Sequence, residues 1–254
     1  MAGLDVLPFQ PPCILHLETV DSTNAEALRL VAKGGRGPLW VLADAQTAGR
    51  GRSGRQWTSD PGNFFGSFLT VLPGVPARAY QISLVAGVAA AETLLALVPG
   101  TSKAGLRLKW PNDILIGRAK AGGILVESIQ AGGGDLAAVI GFGLNLVSQP
   151  LGESRPTAHF AAFGAVPEPL AVLSELHIRL IRWLAIWSGG EGFADIREAW
   201  LSLSGPRGER LTVNSGAGPL EGTFQGLDQN GALILTDDAG IQHTHSFGDV
   251  TLSG

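Results

Sequence analysis

The sequence predicts an α+β fold with a mixed sheet, followed by a small all-β unit, and three observations support this. Apolar runs of strand length recur through residues 14–147, but they are too closely spaced for a repeating strand–helix–strand pattern. Longer segments carry apolar residues at helical spacing. From residue 209 onward, short β-like runs alternate with turn residues to the end of the chain.

The N-terminal part begins with a predicted strand that leads into a helix. Thr23-Asn24-Ala25-Glu26 fits a helix capping box, and Leu28 and Val31 follow it at helical spacing. We therefore expect a strand over Ile14–Leu17 and a helix over Thr23–Lys33.

Apolar runs bounded by Gly, Pro and Asn predict the remaining elements. Strands are predicted over Leu39–Ala45, Phe64–Leu72, Leu106–Lys109, Asp113–Ile116, Gly123–Ile129 and Leu136–Val147. Helices are predicted over Tyr80–Val98, Leu170–Trp187 and Phe193–Leu203. The C-terminal runs are Arg210–Val213, Gly222–Leu227, Ala232–Leu235, Gln242–Phe247 and Asp249–Leu252, and they predict a barrel of about five strands. We place a domain boundary before residue 206, which gives domains of residues 1–205 and 206–254.

The composition is typical of a folded protein with a sizeable core. Of the 254 residues, 45% are hydrophobic and 16% are charged. The formal net charge of −4 argues against nucleic acid as the main partner. Residues 1–20 contain no Lys or Arg and include three prolines, which disfavours a helical DNA-binding element there.

Cysteine usage and the absence of sorting signals predict a cytoplasmic protein with no membrane partner. The single cysteine, Cys13, excludes an internal disulfide and is predicted to be a buried strand residue. No basic segment precedes an apolar one at the N-terminus, as a secretory signal would require. The most apolar window, Ile82–Val98, is interrupted by Ser83, Glu92 and Thr93, so it predicts a core helix.

A segment rich in glycine and arginine is the strongest indication of a ligand site. It comprises Ala48-Gly49-Arg50-Gly51-Arg52-Ser53-Gly54-Arg55-Gln56-Trp57. Glycine lets backbone N–H groups approach a ligand closely, and the guanidinium group suits carboxylate or phosphate oxygens. Because strand-like runs flank the segment, we expect a loop that closes over an anionic ligand, with Trp57 as an apolar wall. Gly/Arg runs also occur in nucleic-acid-binding tails, so this segment alone leaves both interpretations open.

A second basic cluster lies within residues 103–120. It contains Lys103, Arg107, Lys109, Arg118 and Lys120. Inside it, Lys109-Trp110-Pro111-Asn112-Asp113 brings polar side chains to the start of an apolar strand. Two interpretations stay open for this segment. Either a ligand with its metal satisfies the polar groups, or the segment is a hairpin turn with a solvated lysine.

Two further glycine-containing segments are candidates for backbone contact with a ligand. Lys120-Ala121-Gly122-Gly123-Ile124-Leu125-Val126-Glu127 places a lysine directly before two glycines, although a lysine before a strand is also commonly solvated. Gly141-Phe142-Gly143-Leu144-Asn145-Leu146 puts an amide between apolar residues, either as a satisfied core group or as a ligand contact. His243-Thr244-His245 lacks an evident third metal ligand and is interpreted as surface.

Taken in chain order, these segments closely resemble the biotin–protein ligases. The resemblance begins at Asp21-Ser22-Thr23-Asn24, continues from Gln46 to Trp57 and through the three later segments, and covers nearly the whole chain. It implies a catalytic domain of the class II synthetase type with a mixed sheet, followed by an SH3-like β-barrel. Repressor members of the family carry an N-terminal DNA-binding domain, for which the residues before Asp21 leave no room. The resemblance therefore implies the form without that domain, and no specific DNA partner.

The resemblance also implies roles for individual residues. Lys120, Arg50 and Arg52 would be catalytic. Biotin would be bound by Ser22, Thr23, Asn24, Gln46, Gly49, Arg50, Gly51, Arg52, Lys120, Gly122 and Gly123. ATP would be bound by Arg55, Trp57, Lys109, Asn112, Asp113 and Asn145. No metal site fixed by the protein alone is expected, because Mg²⁺ would arrive with ATP.

The implied activity is an ATP-dependent ligation in two steps. Biotin would be activated as biotinyl-5′-AMP and then transferred to a lysine of a biotin carboxyl carrier domain. Both nucleophiles come from the substrates, so the protein's task is charge compensation and positioning. A monomer or a homodimer is expected. Residues 211–254 contain no Lys or Arg, so the barrel is not expected to hold phosphate by itself. A lipoate or octanoate ligase and a non-catalytic biotin-binding protein stay open as alternatives.

Overall fold

A seven-stranded mixed sheet forms the larger part of the molecule. The computed structural model describes residues 11–72, 80–131, 135–153, 155–215 and 218–253. The strands are β1 (Ile14–Val20), β2 (Leu39–Gln46), β3 (Phe64–Leu72), β4 (Leu106–Lys109), β5 (Asp113–Ile116), β6 (Ala119–Gln130) and β7 (Leu136–Leu144). Their order in the sheet is β1-β2-β3-β7-β6-β5-β4. Only β1 and β2 pair in parallel, and the other neighbours are antiparallel.

Helix α1 (Thr23–Ala32) is the crossover that lets β1 and β2 run in parallel. Ser22 precedes it in an extended conformation and caps it, because its hydroxyl accepts a hydrogen bond from the N–H of Ala25. The helix buries Ala27 against Val41 of β2 and Leu69 of β3 in a small apolar cluster of its own. Its first turn is thereby fixed at the carboxyl end of β1.

The larger apolar core involves helices α2 (Ile82–Leu97), α4 (Pro169–Trp187) and α5 (Phe193–Ser202). A short helix, α3 (Gly100–Lys103), follows α2. Helix α2 is apolar around nearly its whole circumference, so it is stable only where other elements cover it on several sides. It contacts α4, α5 and strands of the sheet, and most of its side chains are fully buried.

The C-terminal part forms a second, antiparallel sheet. Its strands are β8 (Arg210–Ser215), β9 (Gly218–Leu227), β10 (Leu233–Thr236), β11 (Gln242–His245) and β12 (Asp249–Leu252), in the order β11-β10-β9-β8-β12. It is attached to the larger sheet by a hydrogen bond of 3.1 Å from Trp110 Nε1 to the carbonyl of Gly231 and by an ion pair of 2.8 Å between Arg107 and Glu209. The domain boundary before residue 206 stays a prediction.

The predicted elements have counterparts in the structure, with differences at their ends. Strand β6 begins at Ala119 instead of Gly123, because an irregularity in the β5–β6 pairing brings Lys120 into register with Leu115. The prediction that Cys13 is a buried strand residue is wrong. Cys13 is exposed and precedes β1, which is the edge strand of the sheet. Among the described residues, no helix has the length and hydrophobicity needed to cross a membrane.

We expect Leu180→Ala to lower the free energy of unfolding by about 2–5 kcal/mol, because Leu180 is fully buried in the core and its removal leaves a cavity. Urea denaturation measures this. Ile178 is the matched control on the same helix, since 42% of it is exposed. Ile178→Ala should change the free energy by no more than about 0.5 kcal/mol. Equal losses in the two variants would contradict the assignment of the core face of α4.

Candidate active site

A cleft opens where the start of α1, the β2–β3 loop and strands β6 and β7 meet. The space within it, including the open mouth, is about 610 Å³. The residues that line it come from segments far apart in the sequence. They are Ser22, Thr23, Asn24, Gln46, Arg50, Gly51, Arg52, Arg55, Gln56, Trp57, Asn112, Lys120, Gly123, Ile124, Leu125, Gly141, Phe142, Gly143 and Arg155.

One end of the cleft is a neutral polar pocket at the start of α1. Ser22, Thr23 and Asn24 are each at most 4% exposed. The N–H of Thr23 donates to Gln46 Oε1 at 2.9 Å, and the hydroxyls of Thr23 and Ser67 lie 2.7 Å apart. Buried polar groups are stable only when they are hydrogen-bonded. This network therefore fixes their orientation, and the pocket presents hydroxyl and amide groups without net charge.

Asn24 is held from three sides. Its Nδ2 donates to Glu127 Oε2 at 2.8 Å, and its Oδ1 accepts from the Ser67 hydroxyl at 2.6 Å. On the third side, a Cβ on Gly141 would lie 2.1 Å from Asn24 Oδ1, so only glycine fits at that position of β7. The amide orientation is thus determined by its neighbours.

The β2–β3 loop folds into a short hairpin over the cleft. The N–H of Gly51 donates to the carbonyl of Arg55 at 2.7 Å, and the N–H of Trp57 donates to the carbonyl of Gly49 at 2.9 Å. Ser53 and Gly54 at the tip both have positive φ angles, of 56° and 72°. Two such residues in succession make a tight turn for which Gly54 is suited.

Trp57 forms a wall of the cleft, as the sequence predicted. A Cβ on Gly143 would lie 2.5 Å from the indole ring, so the glycine on β7 provides the space that the ring occupies. Lys120 Nζ lies 5.3 Å from the ring centroid, within cation–π range. The indole Nε1 is buried and finds no hydrogen-bond partner among the described residues.

The three loop arginines have different partners. Arg50 lies 3.2 Å from Glu127, and Arg55 lies 2.8 Å from Asp249 of β12. Arg52 donates to Asn112 Oδ1 at 3.3 Å and to the carbonyl of Gly248 at 3.2 Å. Burial lowers the pKa of Arg52, and the neighbouring Asp249 partly opposes that shift. The loop is therefore tied to both sheets.

Beside the cleft, three cations surround one buried carboxylate. Asp113 is 7% exposed and pairs with Lys120, with Lys109 at 2.9 Å and with Arg155 at 3.5 Å. Burial opposes ionisation of Asp113, but the charges of Lys120 and Lys109 outweigh it and hold its pKa well below the usual range. Burial lowers the pKa of Lys120 to about 8, although Asp113 favours its charged form.

This cluster has three cations for one carboxylate. Unpaired buried charge is costly, so an excess of positive charge in a partly buried site favours binding of an anion. Lys109 is directed away from the cleft, toward the carbonyl of Val250 in β12. The excess charge at the cleft itself therefore lies on Lys120 and Arg155, which line it together with the arginines of the loop.

Some predicted site residues do not line the cleft. Asn145 is 3% exposed, donates to the carbonyl of Ala158 at 3.0 Å and faces an adjoining recess. Gly122 packs against Leu144, and Gly49 packs against the carbonyl of Trp57. Lys109 and Asp113 line a second recess beside Lys120. The roles of these residues toward a ligand stay predictions.

A metal ion fits this site only if it arrives with its own ligands. Asp113 is engaged by two lysines and an arginine, which leaves it poorly suited to hold a cation alone. In the described ranges, no group of three His, Cys, Asp or Glu side chains is placed to bind a metal. Mg²⁺ usually binds through one or two carboxylates together with substrate phosphates. Because Asp113 is engaged by three cations, the phosphates of ATP would supply most of the ligands of Mg²⁺ here.

Comparison with known proteins identifies the family. The model of the biotin/lipoate A/B protein ligase family matches residues 17–145, and that of the biotin protein ligase C-terminal domain matches residues 208–253. The chain is 41% identical over 233 residues to a biotin--[acetyl-CoA-carboxylase] ligase of Paracoccus denitrificans, covering 89% of this chain and 95% of that protein. The chain belongs to the biotin/lipoate A/B protein ligase family.

Other members of this family agree in sequence and in fold. The chain is 32% identical to the bifunctional ligase/repressor BirA of Escherichia coli over 93% of this chain and 73% of that protein. A biotin protein ligase from Aquifex aeolicus, solved in complex with biotin and ATP, superposes with a TM-score of 0.80 at 25% identity, covering 95% of this chain and 99% of that one. The predicted resemblance and fold class are confirmed, and the five antiparallel C-terminal strands are consistent with the predicted SH3-like unit.

Several residues at the cleft of this ligase-family member were not predicted as site residues. Gly141, Gly143 and Arg155 line the cleft, and Ser67 and Glu127 bond to Asn24, which lines it. The glycines alternate on β7, and this spacing of two is the signal for close approach on one face of a strand. Ser67 and Arg155 lie outside every motif, so only the fold brings them into position.

We expect Lys120 to titrate near pH 8 in the free protein, because burial disfavours its charged form. Below that pH Lys120 is charged, and above it the proton is lost. NMR of isotope-labelled dimethyl-lysines measures this, and the signal is assigned by its loss in Lys120→Arg. Asp113→Asn should lower the pKa further, because the carboxylate favours the ammonium form. A rise in that variant would contradict the described ion pair.

Proposed function

We propose that the protein is an ATP-dependent biotin–protein ligase. It activates biotin as biotinyl-5′-AMP and transfers the biotinyl group to a lysine of a biotin carboxyl carrier domain. The observation that carries this proposal is the division of the cleft into two parts. A neutral polar pocket around Thr23 and Asn24 adjoins a cationic part around Lys120 and Arg52. Biotin, with a neutral ureido ring at one end and a carboxylate at the other, matches this polarity.

In the first step two anions must meet. The biotin carboxylate attacks the α-phosphorus of ATP, and pyrophosphate leaves. Lys120 in its charged form and Arg52 from the loop lower the repulsion between the carboxylate and the phosphate, and their side chains are only 11% and 26% exposed, which limits screening by water. Mg²⁺ bound to the ATP phosphates would supply further charge neutralisation.

In the second step the carrier lysine attacks the acyl carbon of the adenylate, and AMP leaves. No protein nucleophile is required. The loop over the cleft limits access of water to the adenylate in the meantime. Its attachments to Glu127 and Asp249 are made by Arg50 and Arg55, about half exposed, so loop opening disrupts pairs of modest strength.

The biotin pocket supports this proposal over a lipoate or octanoate ligase. The hydroxyls and amides of Thr23, Asn24 and Gln46 are held by hydrogen bonds within the protein, and a ureido ring can exchange hydrogen bonds with them, whereas an aliphatic acyl chain cannot. The carrier domain, a cytoplasmic location, a monomeric or homodimeric state and the lack of a specific DNA partner are parts of the same proposal.

The test is incubation with MgATP, a carrier domain and one of three acids: biotin, lipoate or octanoate. The mass of the carrier should increase with biotin and ATP together, and not when ATP is omitted. Lys120→Ala should slow adenylate formation strongly, whereas Lys33→Ala, on the distant end of α1, should not. Mass gain with lipoate or octanoate but not with biotin would contradict the proposal.

We expect Arg52→Ala and Arg50→Ala to release biotinyl-5′-AMP faster than the parent protein. Each lost charge-assisted hydrogen bond weakens binding by about 1.5–3 kcal/mol, which corresponds to roughly tenfold or more in the dissociation constant. Release is measured by rapid filtration after adenylate formation. Arg182→Ala, which removes an exposed ion pair with Glu92 far from the cleft, is the control. Unchanged release in both loop variants would contradict closure of the loop over the adenylate.

A further inference from the structure

Arg155 lies at the junction of three recesses. It lines the main cleft, the recess around Asn145 and the recess around Lys109. It comes from the segment between β7 and α4. It lines both the main cleft and the Asn145 recess together with residues of the β2–β3 loop.

The backbone fixes Arg155 relative to Lys120. The N–H of Lys120 donates to the carbonyl of Pro156, and the N–H of Ala158 donates to the carbonyl of Lys120, both at 2.9 Å. The Thr157 hydroxyl donates to the carbonyl of Pro150 at 3.0 Å and closes the segment on itself. Arg155 thus directly precedes a segment that pairs with β6 at Lys120, so the two cations hold a defined spacing.

Arg155 is also the least engaged cation of the cluster. It lies 3.5 Å from Asp113, while Lys109 lies 2.9 Å from it. The Arg155 side chain is 37% exposed, against 11% for Lys120. A guanidinium group has five N–H donors, and Asp113 is its one polar contact among the described residues. Donors remain free to bind an anion in the cleft.

We propose that Arg155 is a catalytic residue of adenylate formation that binds the phosphates which leave as pyrophosphate. This inference rests on the proposed function. A biotin carboxylate oxygen forms a bond to the α-phosphorus, the bond from that phosphorus to the bridging oxygen breaks, and the electron pair leaves with pyrophosphate. Arg155 donates to the oxygens on which this charge develops, in the cleft that it lines together with Arg52. In the transfer step pyrophosphate has already left, so Arg155 has no role there.

The test separates the two half-reactions. Single-turnover formation of biotinyl-5′-AMP from biotin and MgATP is compared with transfer from synthetic biotinyl-5′-AMP to a carrier domain. Arg155→Ala should slow adenylate formation by about 100-fold and leave transfer within about threefold of the parent rate. Arg155→Lys should restore part of the first rate, because it returns the charge but not the planar geometry. Inhibition by added pyrophosphate should weaken in Arg155→Ala.

The matched control is Arg36→Ala, which removes a half-exposed arginine paired with Asp135 outside the cleft. Both of its rates should equal those of the parent. Equal slowing of both half-reactions in Arg155→Ala would overturn the proposal and indicate a structural role. Unchanged adenylate formation in this variant would also overturn the proposal. If Arg155→Ala does not fold, Arg155→Lys and Arg155→Gln supply the same comparison. If the parent protein makes no adenylate, the proposed function is contradicted. If the parent protein and Arg155→Ala form adenylate at the same rate, only the role of Arg155 is contradicted.

Discussion

The ion cluster around Asp113 is the interaction on which the site depends. One buried carboxylate holds Lys109, Lys120 and Arg155 within 3.5 Å, at the start of β5. Without Asp113, two mostly buried ammonium groups and a guanidinium would repel one another and lose their charge or their positions. With it, the cluster keeps excess positive charge at the cleft. The Asp113 carboxylate therefore positions the three cations, and an anionic ligand would neutralise their remaining positive charge.

The C-terminal sheet contributes to this site although its strands contain no Lys or Arg except Arg210, the first residue of β8. Strand β12 and the residue before it supply acceptors instead: the carbonyl of Gly248 for Arg52, the carboxylate of Asp249 for Arg55 and the carbonyl of Val250 for Lys109. Acceptors of this kind restrain cations that would otherwise be free to turn toward solvent. The prediction that this sheet does not hold phosphate by itself stays untested. The described contacts of the sheet are with Arg52, Arg55 and Lys109, which are expected to contact the ligand.

Sequence reasoning identified the elements and motifs, because hydrophobic periodicity and Gly/Arg composition are local signals. It could not identify partners that depend on sheet order. Ser67 and Glu127 reach Asn24 only because β3 and β6 flank β7 in the folded sheet. Cys13 was wrongly expected to be buried, because an apolar run does not reveal that its strand lies at an edge. Of the two interpretations of Lys109–Asp113, the hairpin turn is present because β4 and β5 pair antiparallel, but the expectation of a solvated lysine is wrong, since Lys109 is 11% exposed and pairs with Asp113. Contact of this segment with a ligand stays a prediction.

The β2–β3 loop is held over the cleft by ion pairs that a ligand can replace. Arg50 and Arg55 pair with Glu127 and Asp249, and these pairs are partly exposed, so each contributes little. A phosphate or acyl-phosphate ligand can replace such partners at small cost. Lys120 differs, because its buried pairing with Asp113 is part of the sheet and persists through the exchange. We therefore expect ligand binding to exchange the partners of the loop cations while Lys120 on β6 keeps its pairing with Asp113.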